Sequence, residues 1–575
     1  MKIIIARTAG FCMGVRRAVD MALDAATRSK KNIYTYGPLI HNPQVLSLLE
    51  EKQISVISDI PNKGDGTVLI RAHGVPPDIK DKLADVGFDV IDATCPRVIK
   101  VQTIIDSHCK KGYIPIIVGN ENHPEVIGLL GFAGNKGIVV DNLEGLKSLP
   151  IFEKAIIVAQ TTQNRFLFDE IKKYIVEKHP SYKIFNTICD STEKRQAEVR
   201  ELSKLADAFI VVGGYDSGNT KRLAEVATSS GKPAFHIETE SELEVNDLSL
   251  AETIGITAGA STPNWIIKRV YRHLENILYN RKKGWRKTLF EIQRIFLYSN
   301  LYLALGALCL CYTCSKLQGL EYNFPHLLVA MTYVLSMHIT NNIIGVKEEI
   351  YNDPDRAYFY EKNKIKLIFL ALSSGIIGLV LSCLEGFLPF LILLAMSIMG
   401  IGYNFRLIPK KVSINKVRRI RDIPGSKTIL LSAAWGIVTA IFPVLFESKA
   451  IDSTTLFVFL WSTSLVFVRT SFFDILSIQG NRIVGKETIP ILLGEDRSIY
   501  LLKFMLGLIL IMQIIASILH ITTPLGYALT LYPIFMFAVL IAQENKYLLP
   551  GVKQEFYVEN LFAITGLISF IWFNF

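Results

Sequence analysis

The feature that most constrains this chain is a series of long apolar runs that begins near residue 290. Each run holds roughly 20 residues, which is the length that an α-helix needs to cross a bilayer. Before this point the apolar runs are short and alternate with charged helical patterns. The sequence therefore predicts a soluble unit at 1–278, a basic juxtamembrane linker at 279–290 and a membrane unit at 291–575.

The first half alternates short β-rich runs with helical patterns. Runs such as AIIVAQTT and AFIVVGG end in small polar residues, and stretches such as QAEVRELSKLADA separate them. Strand–helix alternation of this kind predicts parallel sheets, whose ligands gather at the carboxyl ends of the strands. The predicted fold class of this half is therefore α/β.

Three cysteines of this half stand in short polar segments: Cys12 in GFCMG, Cys95 in DATCP and Cys189 in TICDST. Their spacing is too wide for one metal-binding loop, so the chain must fold three times to bring them together, which predicts three lobes around a common centre. Three thiolates on a cubane iron–sulfur cluster leave one iron without a protein ligand, and that iron can bind a substrate. Taken singly, each cysteine is more often a small buried residue.

Groups suited to an anionic substrate follow the same predicted strand ends. They are His41 in IHN, His73 in RAHG, His123 and Glu125 in ENHPE, Thr161 in AQTT, Ser217 and Asn219 in DSGN, and Ser261 in TAGAS. Backbone N–H groups at such turns, with hydroxyls and imidazoles, make a cradle for a diphosphate. An acid–base pair beside an open iron supplies protons to a reaction driven by electrons. A lone histidine at a strand end is more often a local hydrogen-bonding group.

Taken together, these segments resemble the 4-hydroxy-3-methylbut-2-enyl diphosphate reductase family (LytB/IspH). The resemblance covers about residues 1–275 and rests, in order, on FCMGVRRAV, GPLIHNPQV, RAHGV, DATCP, HPEVIG, AQTT, RQAEV, SGNTKRL and TAGAS. It implies a three-lobed, pseudo-threefold fold with a 4Fe–4S cluster on Cys12, Cys95 and Cys189. The implied reaction removes an allylic hydroxyl as water and gives isopentenyl and dimethylallyl diphosphates, the last step of the non-mevalonate isoprenoid pathway. The implied electron donor is a ferredoxin or flavodoxin.

The same resemblance assigns roles to the polar residues. The implied diphosphate ligands are His41, His73, Ser217, Asn219 and Ser261, with help from His123. Glu125 becomes the proton source, working with Thr161 near the leaving hydroxyl. The family usually has two serines before the asparagine, whereas the second is Gly218 here, so one hydroxyl contact is lost unless the backbone replaces it. The segment after Cys189 also departs from the family's ATxxRQ form, although Arg195 and Gln196 keep the RQ pair.

The second half is predicted to be an all-α domain of nine transmembrane helices. The candidate spans lie near 293–314, 324–345, 364–384, 386–405, 428–446, 453–476, 499–519, 525–543 and 556–575. The densest basic cluster, from Arg406 to Lys427, lies in a loop between two spans, where cytoplasmic lysines and arginines belong. This pattern predicts a multi-pass protein of the inner (cytoplasmic) membrane with its N-terminal unit in the cytoplasm. The net charge of +10 therefore indicates membrane topology and no nucleic-acid partner.

Two loops of this half resemble those of the UbiA superfamily of membrane prenyltransferases, which hold Mg²⁺ and a prenyl diphosphate between two aspartate-rich loops. The matching segments are NNIIGVKEEIYNDPDR at 341–356 and DILSIQGNRIVGKETIPILLG at 474–494. The family's acid positions are occupied by Asn342, Gly345 and Glu349 in the first loop, and by Asp474, Ser477 and Asn481 in the second. Neutral oxygens offset the charge of Mg²⁺ and diphosphate poorly. The residues left as a candidate membrane site are Asn341, Glu349 and Asp474.

Two hypotheses follow for the whole chain. The favoured one is a reductase whose diverged membrane half is an anchor or a binding module for prenyl lipids. The alternative is a bifunctional enzyme whose second half also performs Mg²⁺-dependent prenyl transfer. A third, non-enzymatic option is an iron–sulfur sensor joined to a membrane partner, but such a sensor has no use for a proton donor and a diphosphate cradle.

Overall fold

A computed structural model of the chain describes residues 2–28, 31–244, 248, 251–281, 284–321, 323–403, 420 and 423–575. The chain forms two compact units, Met1–Leu278 and Tyr279–Phe575. The predicted linker at 279–290 contains the end of one helix and the start of the next. The first of these helices ends at Arg281, and the second begins at Trp285.

The described part of the first unit contains twelve strands and ten α-helices. The strands are β1 (Lys2–Ile5), β2 (Ile33–Tyr36), β3 (Ile54–Ile57), β4 (Thr67–Ile70), β5 (Asp89–Asp92), β6 (Ile114–Val118), β7 (Ile138–Val140), β8 (Ala155–Ala159), β9 (Lys183–Ile184), β10 (Ala208–Val212), β11 (Ala234–Ile237) and β12 (Thr253–Ala258). The helices are α1 (Met13–Arg28), α2 (Pro43–Glu51), α3 (Pro77–Asp85), α4 (Pro96–Cys109), α5 (Pro124–Ala133), α6 (Leu143–Lys147), α7 (Arg165–Lys178), α8 (Asp190–Leu202), α9 (Gly218–Thr228) and α10 (Asn264–Arg281).

The strands form three four-stranded sheets, and all of their pairings are parallel. The strand orders are β11-β10-β12-β1, β3-β2-β4-β5 and β7-β6-β8-β9. The three sheets follow the same pattern. Strands β2, β6 and β10 each lie between the next two strands along the chain, and β5, β9 and β1 form the edges beside β4, β8 and β12. The edge strand β1 pairs Lys2 with Thr253 and so joins the two ends of the unit. The α/β prediction is confirmed, while the threefold relation of the lobes stays a prediction.

Helices cover both faces of these sheets. Strands β8 and β10 are buried along their whole length, as is typical of parallel strands that helices cover on both sides. Successive residues of β8 face opposite helices. Ile156 packs in a cluster with Leu129 of α5, whereas Ile157 packs in a cluster with Ile171 of α7. This double coverage leaves the carboxyl ends of the strands, with their polar loops, as the place for a site.

The described part of the second unit is helical throughout. The helices are α11 (Trp285–Tyr298), α12 (Leu301–Leu317), α13 (Phe324–Ile344), α14 (Val346–Glu349), α15 (Pro354–Lys362), α16 (Lys364–Glu385), α17 (Phe387–Gly402), α18 (Ser426–Gly436), α19 (Phe442–Phe446), α20 (Ser453–Leu476), α21 (Ile478–Ile483), α22 (Ile489–Leu493), α23 (Glu495–Ile518), α24 (Leu525–Ala528), α25 (Leu531–Glu544) and α26 (Val552–Asn574). A π-helical segment, Ile437–Ile441, joins α18 to α19.

The count of nine spans is not confirmed. Among the described residues, seven helical segments are long and apolar enough to cross a bilayer. They are Phe324–Ile344, Lys364–Glu385, Ser426–Phe446, Ser453–Leu476, Glu495–Ile518, Leu525–Glu544 and Val552–Asn574. The predicted span at 386–405 is represented by α17, which has only 16 residues. Seven such segments still make this unit a multi-pass membrane domain.

The predicted first span, 293–314, is broken. Helices α11 and α12 meet at an angle of 70°, and Asn300 between them takes a left-handed conformation with φ of 59°. Such a residue ends the run of i to i−4 hydrogen bonds, so the two helices count as one span only if the bent pair is taken together. Large apolar side chains elsewhere in this unit face outward, as a lipid-facing surface requires; examples are Ile365, Phe369, Leu384 and Phe504.

Candidate functional site

The three predicted cluster cysteines occupy equivalent places in the three sheets. Each one follows an edge strand (β1, β5 or β9) and directly precedes a helix (α1, α4 or α8). The backbone N–H of each cysteine also donates to a carbonyl two residues beyond the neighbouring strand. These bonds join Cys12 to Ala260 at 3.1 Å, Cys95 to Ala72 at 2.9 Å and Cys189 to Thr161 at 2.9 Å. The fold therefore builds one local structure three times and sets a cysteine at the same point of each.

All the site residues predicted for this unit line a single cavity. They are Cys12, Cys95, Cys189, His41, His73, His123, Glu125, Thr161, Ser217, Asn219 and Ser261. The cavity encloses about 740 Å³ when the open space at its mouth is included. Residues from all three sheets thus meet at one place, and their individual roles stay predictions.

The thiols suit a multi-iron cluster better than a single ion. In the described residues, these three cysteines are not among the groups close enough to share one metal ion, so their spacing does not suit a single ion. Backbone N–H groups of the following helices point at the sulfurs, as Val15 does to the Sγ of Cys12 at 3.4 Å. A side chain at Gly14 would collide with the Sγ of Cys95, so the glycine makes room for sulfur.

Burial raises the pKa of the Cys95 and Cys189 thiols, while hydrogen bonds from backbone N–H groups act in the opposite direction. Those N–H groups belong to the first turn of the helix that each cysteine precedes. They favour the thiolate, which is the form that binds iron. The residues present therefore fit the implied cluster.

Three imidazoles meet on another wall of the cavity. The centroids of His41 and His73 are 4.8 Å apart, and His123 lies 6.1 and 5.5 Å from them. Burial lowers the pKa of His41, with Arg71 adding to the effect, and holds the pKa of His73 well below its usual value. Burial also lowers the pKa of His123 to about 4. The nitrogens of these neutral imidazoles are close enough to hold a metal ion, and only their surroundings decide between a cation and an anion.

Those surroundings favour an anion. Ser217 caps α9 and Ser261 donates to its Oγ at 3.2 Å. Asn219, in the first turn of α9, is only 6% exposed, and neither its amide nitrogen nor its amide oxygen has a partner among the described residues. Buried amides without partners are costly, so Asn219 is well suited to a ligand with polar groups. Hydroxyls, an amide and a helix N-terminus together match a phosphate oxygen.

Glu125 is the one carboxyl group among these residues, and it is 2% exposed. One of its oxygens accepts from the backbone N–H of Thr161 at 2.6 Å, and the other accepts from the Thr161 hydroxyl at 2.8 Å. Burial raises the pKa of Glu125 to about 7, although the bonds from Thr161 act to lower it. A carboxyl with such a pKa is protonated for much of the time near neutral pH and can serve as an acid.

The cavity also includes residues that the sequence did not assign to the site. Arg97, Ser191 and Thr192 line it, each within the first turn after a cluster cysteine. Their position beside a cysteine in DATCPR and CDST was the available signal. Arg71, from the RAHG motif, acts electrostatically on His41 and His123 and was not predicted either.

The first unit is similar to known proteins. Residues 3–275 match the LytB protein family. A 4-hydroxy-3-methylbut-2-enyl diphosphate reductase of Alkaliphilus oremlandii is 44% identical over 280 residues, which cover 48% of this chain and 100% of that protein. The chain belongs to the LytB family. A solved LytB relative, the E-1-hydroxy-2-methyl-but-2-enyl-4-diphosphate reductase from Plasmodium falciparum, is 28% identical with a TM-score of 0.45, over 48% of this chain and 87% of that one.

A second match follows the LytB unit. Residues 300–548 match the UbiA prenyltransferase family. A solved UbiA homolog from Aeropyrum pernix K1 is 13% identical with a TM-score of 0.36, over 47% of this chain and 95% of that one. Beyond its LytB unit, the chain is thus similar to the UbiA prenyltransferase family over residues 300–548.

Three of the six positions that the resemblance matches to UbiA acids are hydrogen-bonded to other side chains of the membrane unit. Asn342 donates to the Tyr360 hydroxyl at 3.2 Å, Asn481 accepts from Asn352 at 3.0 Å, and Asp474 accepts from Thr428 at 2.8 Å. Within the described part of this unit, no three carboxylates, imidazoles or thiols stand close enough to share an ion. Asn341 and Glu349 are half-buried, and Asp474 is buried. Most of the basic loop, from Arg406 to Arg419 and at Arg421, lies outside the described residues.

Proposed function

We propose that the first unit reduces (E)-4-hydroxy-3-methylbut-2-enyl diphosphate to isopentenyl and dimethylallyl diphosphates. The reaction consumes two electrons and two protons, breaks the carbon–oxygen bond of the allylic alcohol and releases one water. One observation carries the proposal: three thiols, a buried carboxylic acid and a set of unpartnered anion-binding groups line the same cavity. The names of the LytB relatives, which cover the whole unit, support the same reaction.

The residues for the redox group are Cys12, Cys95 and Cys189, which would hold a 4Fe–4S cluster. When bound, the cluster supplies single electrons and an iron without a protein ligand that acts as a Lewis acid toward the hydroxyl. The electrons come from a ferredoxin or flavodoxin, as the family resemblance implies.

The remaining groups bind the substrate and supply a proton. The diphosphate is held by His41, His73, Ser217, Asn219 and Ser261, with His123 beside them. Asn219 then gains the partners that it lacks, and negative charge draws protons onto the neutral imidazoles. Glu125 donates a proton to the leaving hydroxyl, which departs as water because hydroxide is a poor leaving group. The two bonds from Thr161 hold the Glu125 carboxyl in position.

We propose that the membrane half is an anchor or a binding module for prenyl lipids and that it has no Mg²⁺ site. Mg²⁺ requires several hard anionic oxygens, whereas Asn342, Asn481 and Asp474 are engaged with neighbouring side chains. The proposed location is the inner membrane with the reductase unit in the cytoplasm, which is supported by the lysines and arginines between Arg406 and Lys427. In this arrangement the five-carbon products are released near the bilayer.

Two assays test these proposals. Anaerobically purified full-length protein, given the hydroxylated diphosphate and a chemical reductant, is expected to release both five-carbon diphosphates, and absence of turnover would contradict the reductase assignment.

The second assay tests prenyl transfer by the membrane half. A Cys12→Ala chain is given Mg²⁺, a prenyl diphosphate and a lipid acceptor. No transfer is expected, whereas transfer that is lost on a further Asp474→Ala change would support the bifunctional alternative.

A further inference from the structure

Each helix that begins at a cluster cysteine carries an arginine that reaches the segment of another cysteine. Arg17 of α1, the helix after Cys12, donates to the carbonyl of Thr94 at 2.9 Å, one residue before Cys95. Arg97 of α4, the helix after Cys95, forms an ion pair with Asp190, which directly follows Cys189. These two contacts therefore link the first cysteine segment to the second, and the second to the third.

The third arginine closes the circle. Arg195 of α8, the helix after Cys189, donates to the carbonyls of Thr8 and of Gly10, the latter at 2.7 Å, in the loop that leads to Cys12. It also donates to the carbonyl of Ala258 at 3.3 Å, at the end of β12. Arg195 is 3% exposed. Its guanidinium thus ties the loop before Cys12 to the neighbouring strand.

A second side chain of α8 holds the same loop from its other end. Glu198, three residues after Arg195 and on the same helix face, accepts from the backbone N–H groups of Arg7 at 2.6 Å and Thr8 at 2.8 Å, and from the Thr8 hydroxyl at 2.6 Å. Donors and acceptors of this loop are therefore both satisfied by α8. The helix that starts at Cys189 thereby fixes the approach to Cys12.

We propose that Arg17, Arg97 and Arg195 form a closed arginine ring that positions the three cysteines relative to one another and places positive charge around the iron–sulfur cluster. The inference rests on the cluster of the proposed function and assigns positioning residues that the sequence motifs left without a role. Groups behind metal ligands orient them and affect metal affinity. Net charge around a cluster sets its reduction potential, and cations favour the reduced, more negative form.

The three links differ in strength. Arg195 is buried and bonded to three carbonyls, so its loss leaves several polar groups without partners. Arg17 donates to one carbonyl, which the single ammonium of a lysine can also reach. The side chains of Arg97 and Asp190 are 44% and 61% exposed, and an ion pair of this kind contributes little by itself. The expected order of effect is therefore Arg195, then Arg17, then Arg97.

The test uses the full-length chain, purified anaerobically with its cluster, in the variants Arg195→Gln, Arg195→Lys and Arg17→Lys. Arg195→Gln is expected to release iron to a chelator about 10-fold faster than the parent chain, with a lower midpoint potential and an altered electron paramagnetic resonance spectrum of the reduced cluster. Arg195→Lys retains the positive charge but not the fork of N–H donors. Its midpoint potential is therefore expected to lie close to that of the parent chain, while its iron release stays faster. Arg17→Lys is expected to keep both the iron release and the midpoint potential of the parent chain.

A charge swap tests the weakest link, and a surface lysine is the matched control. Arg97→Asp and Asp190→Arg are each expected to speed iron release, and the double variant is expected to restore it. Lys204, just beyond α8, is an exposed lysine that pairs with Glu201, and Lys204→Met is expected to change neither iron release nor midpoint potential.

A cluster-free measurement separates failure of the ring from failure of the proposed function. In the apo-protein, a short bifunctional thiol reagent is expected to bridge Cys12 and Cys189, as found by peptide mass mapping, and Arg195→Gln is expected to bridge them more slowly. If the parent chain holds no iron but bridges them faster than Arg195→Gln does, the cluster assignment fails while the positioning role of the ring stands. If Arg195→Gln equals the parent chain in bridging, iron release and potential, the ring is refuted.

Discussion

Replacing Glu125 with glutamine removes the proposed proton donor with little change in shape. The carboxyl is 2% exposed and is held by two bonds from Thr161. The amide oxygen of glutamine can accept from the Thr161 N–H, and its NH₂ group can donate to the Thr161 hydroxyl, so both contacts remain. The substitution therefore tests proton donation and leaves the packing of the site in place.

The magnitude follows from the environment of Glu125. Burial raises its pKa from 4.5 to about 7, and a shift of this size corresponds to about 3 kcal/mol in favour of the protonated carboxyl. Above the pKa the protonated fraction falls about 10-fold for each pH unit, so the rate of the parent chain is expected to fall with the same slope above about pH 7. Glu125→Gln is expected to lower kcat by roughly 100-fold or more and to abolish this alkaline decline.

The assay is anaerobic turnover of the hydroxylated diphosphate with a chemical reductant, between about pH 6 and pH 9. The matched control is Glu121→Gln, an exposed glutamate four residues earlier in the same ENHPE segment, which is expected to leave the rate and the pH profile unchanged. A Glu125→Gln enzyme that retains the parent rate, or that retains the same alkaline decline, would refute the assignment of Glu125 as the acid.

Two further predictions concern single positions in each unit. A Cβ atom at Gly218 would lie 3.8 Å from the Nε2 of His123, in ordinary van der Waals contact. Gly218→Ser is therefore expected to add a hydroxyl to the diphosphate cradle and to lower KM about 2- to 10-fold, as one hydrogen bond provides. An unchanged or higher KM in steady-state kinetics would contradict this. In the membrane unit Glu559 pairs with Arg469, both buried, so Glu559→Ala is expected to destabilise this unit by about 3–5 kcal/mol because it leaves a buried charge unpaired. Thermal unfolding in detergent measures the effect. The control is Lys503→Ala, which breaks a partly exposed pair with Glu544 and is expected to cost under about 1 kcal/mol. Equal losses of stability in the two variants would count against the buried-charge argument.

The sequence indicated which polar residues line the cavity of the first unit, because they lie at the ends of parallel strands. Thr161 follows β8 and Ser261 follows β12, and in each case the apolar run and the polar residues after it are adjacent in the sequence. No local pattern, however, indicates that Cys12 and Cys189 share a cavity. The prediction that they converge rested on the three polar cysteine segments taken together and on the family resemblance, since the pairing of β1 with β12 depends on residues about 250 positions apart.

Features that depend on tertiary contacts were not predicted. Arg17, Arg97 and Arg195 stand in helical stretches where charged residues are normally solvated, and only the fold brings them to neighbouring cysteine segments. The break at Asn300 was missed because hydropathy measures apolar length and not backbone direction. The short helix α17 was overcounted for the same reason.

The most direct test of the account is the iron content and Mössbauer spectrum of the anaerobically purified full-length chain. We expect about four irons per chain in a cubane cluster with one iron distinct from the other three. Serine at Cys12, Cys95 or Cys189 is expected to abolish this signal, whereas serine at the buried membrane cysteine Cys311 is expected to leave it intact. A parent chain that holds no cluster, or a cluster that survives loss of all three cysteines, would contradict the account.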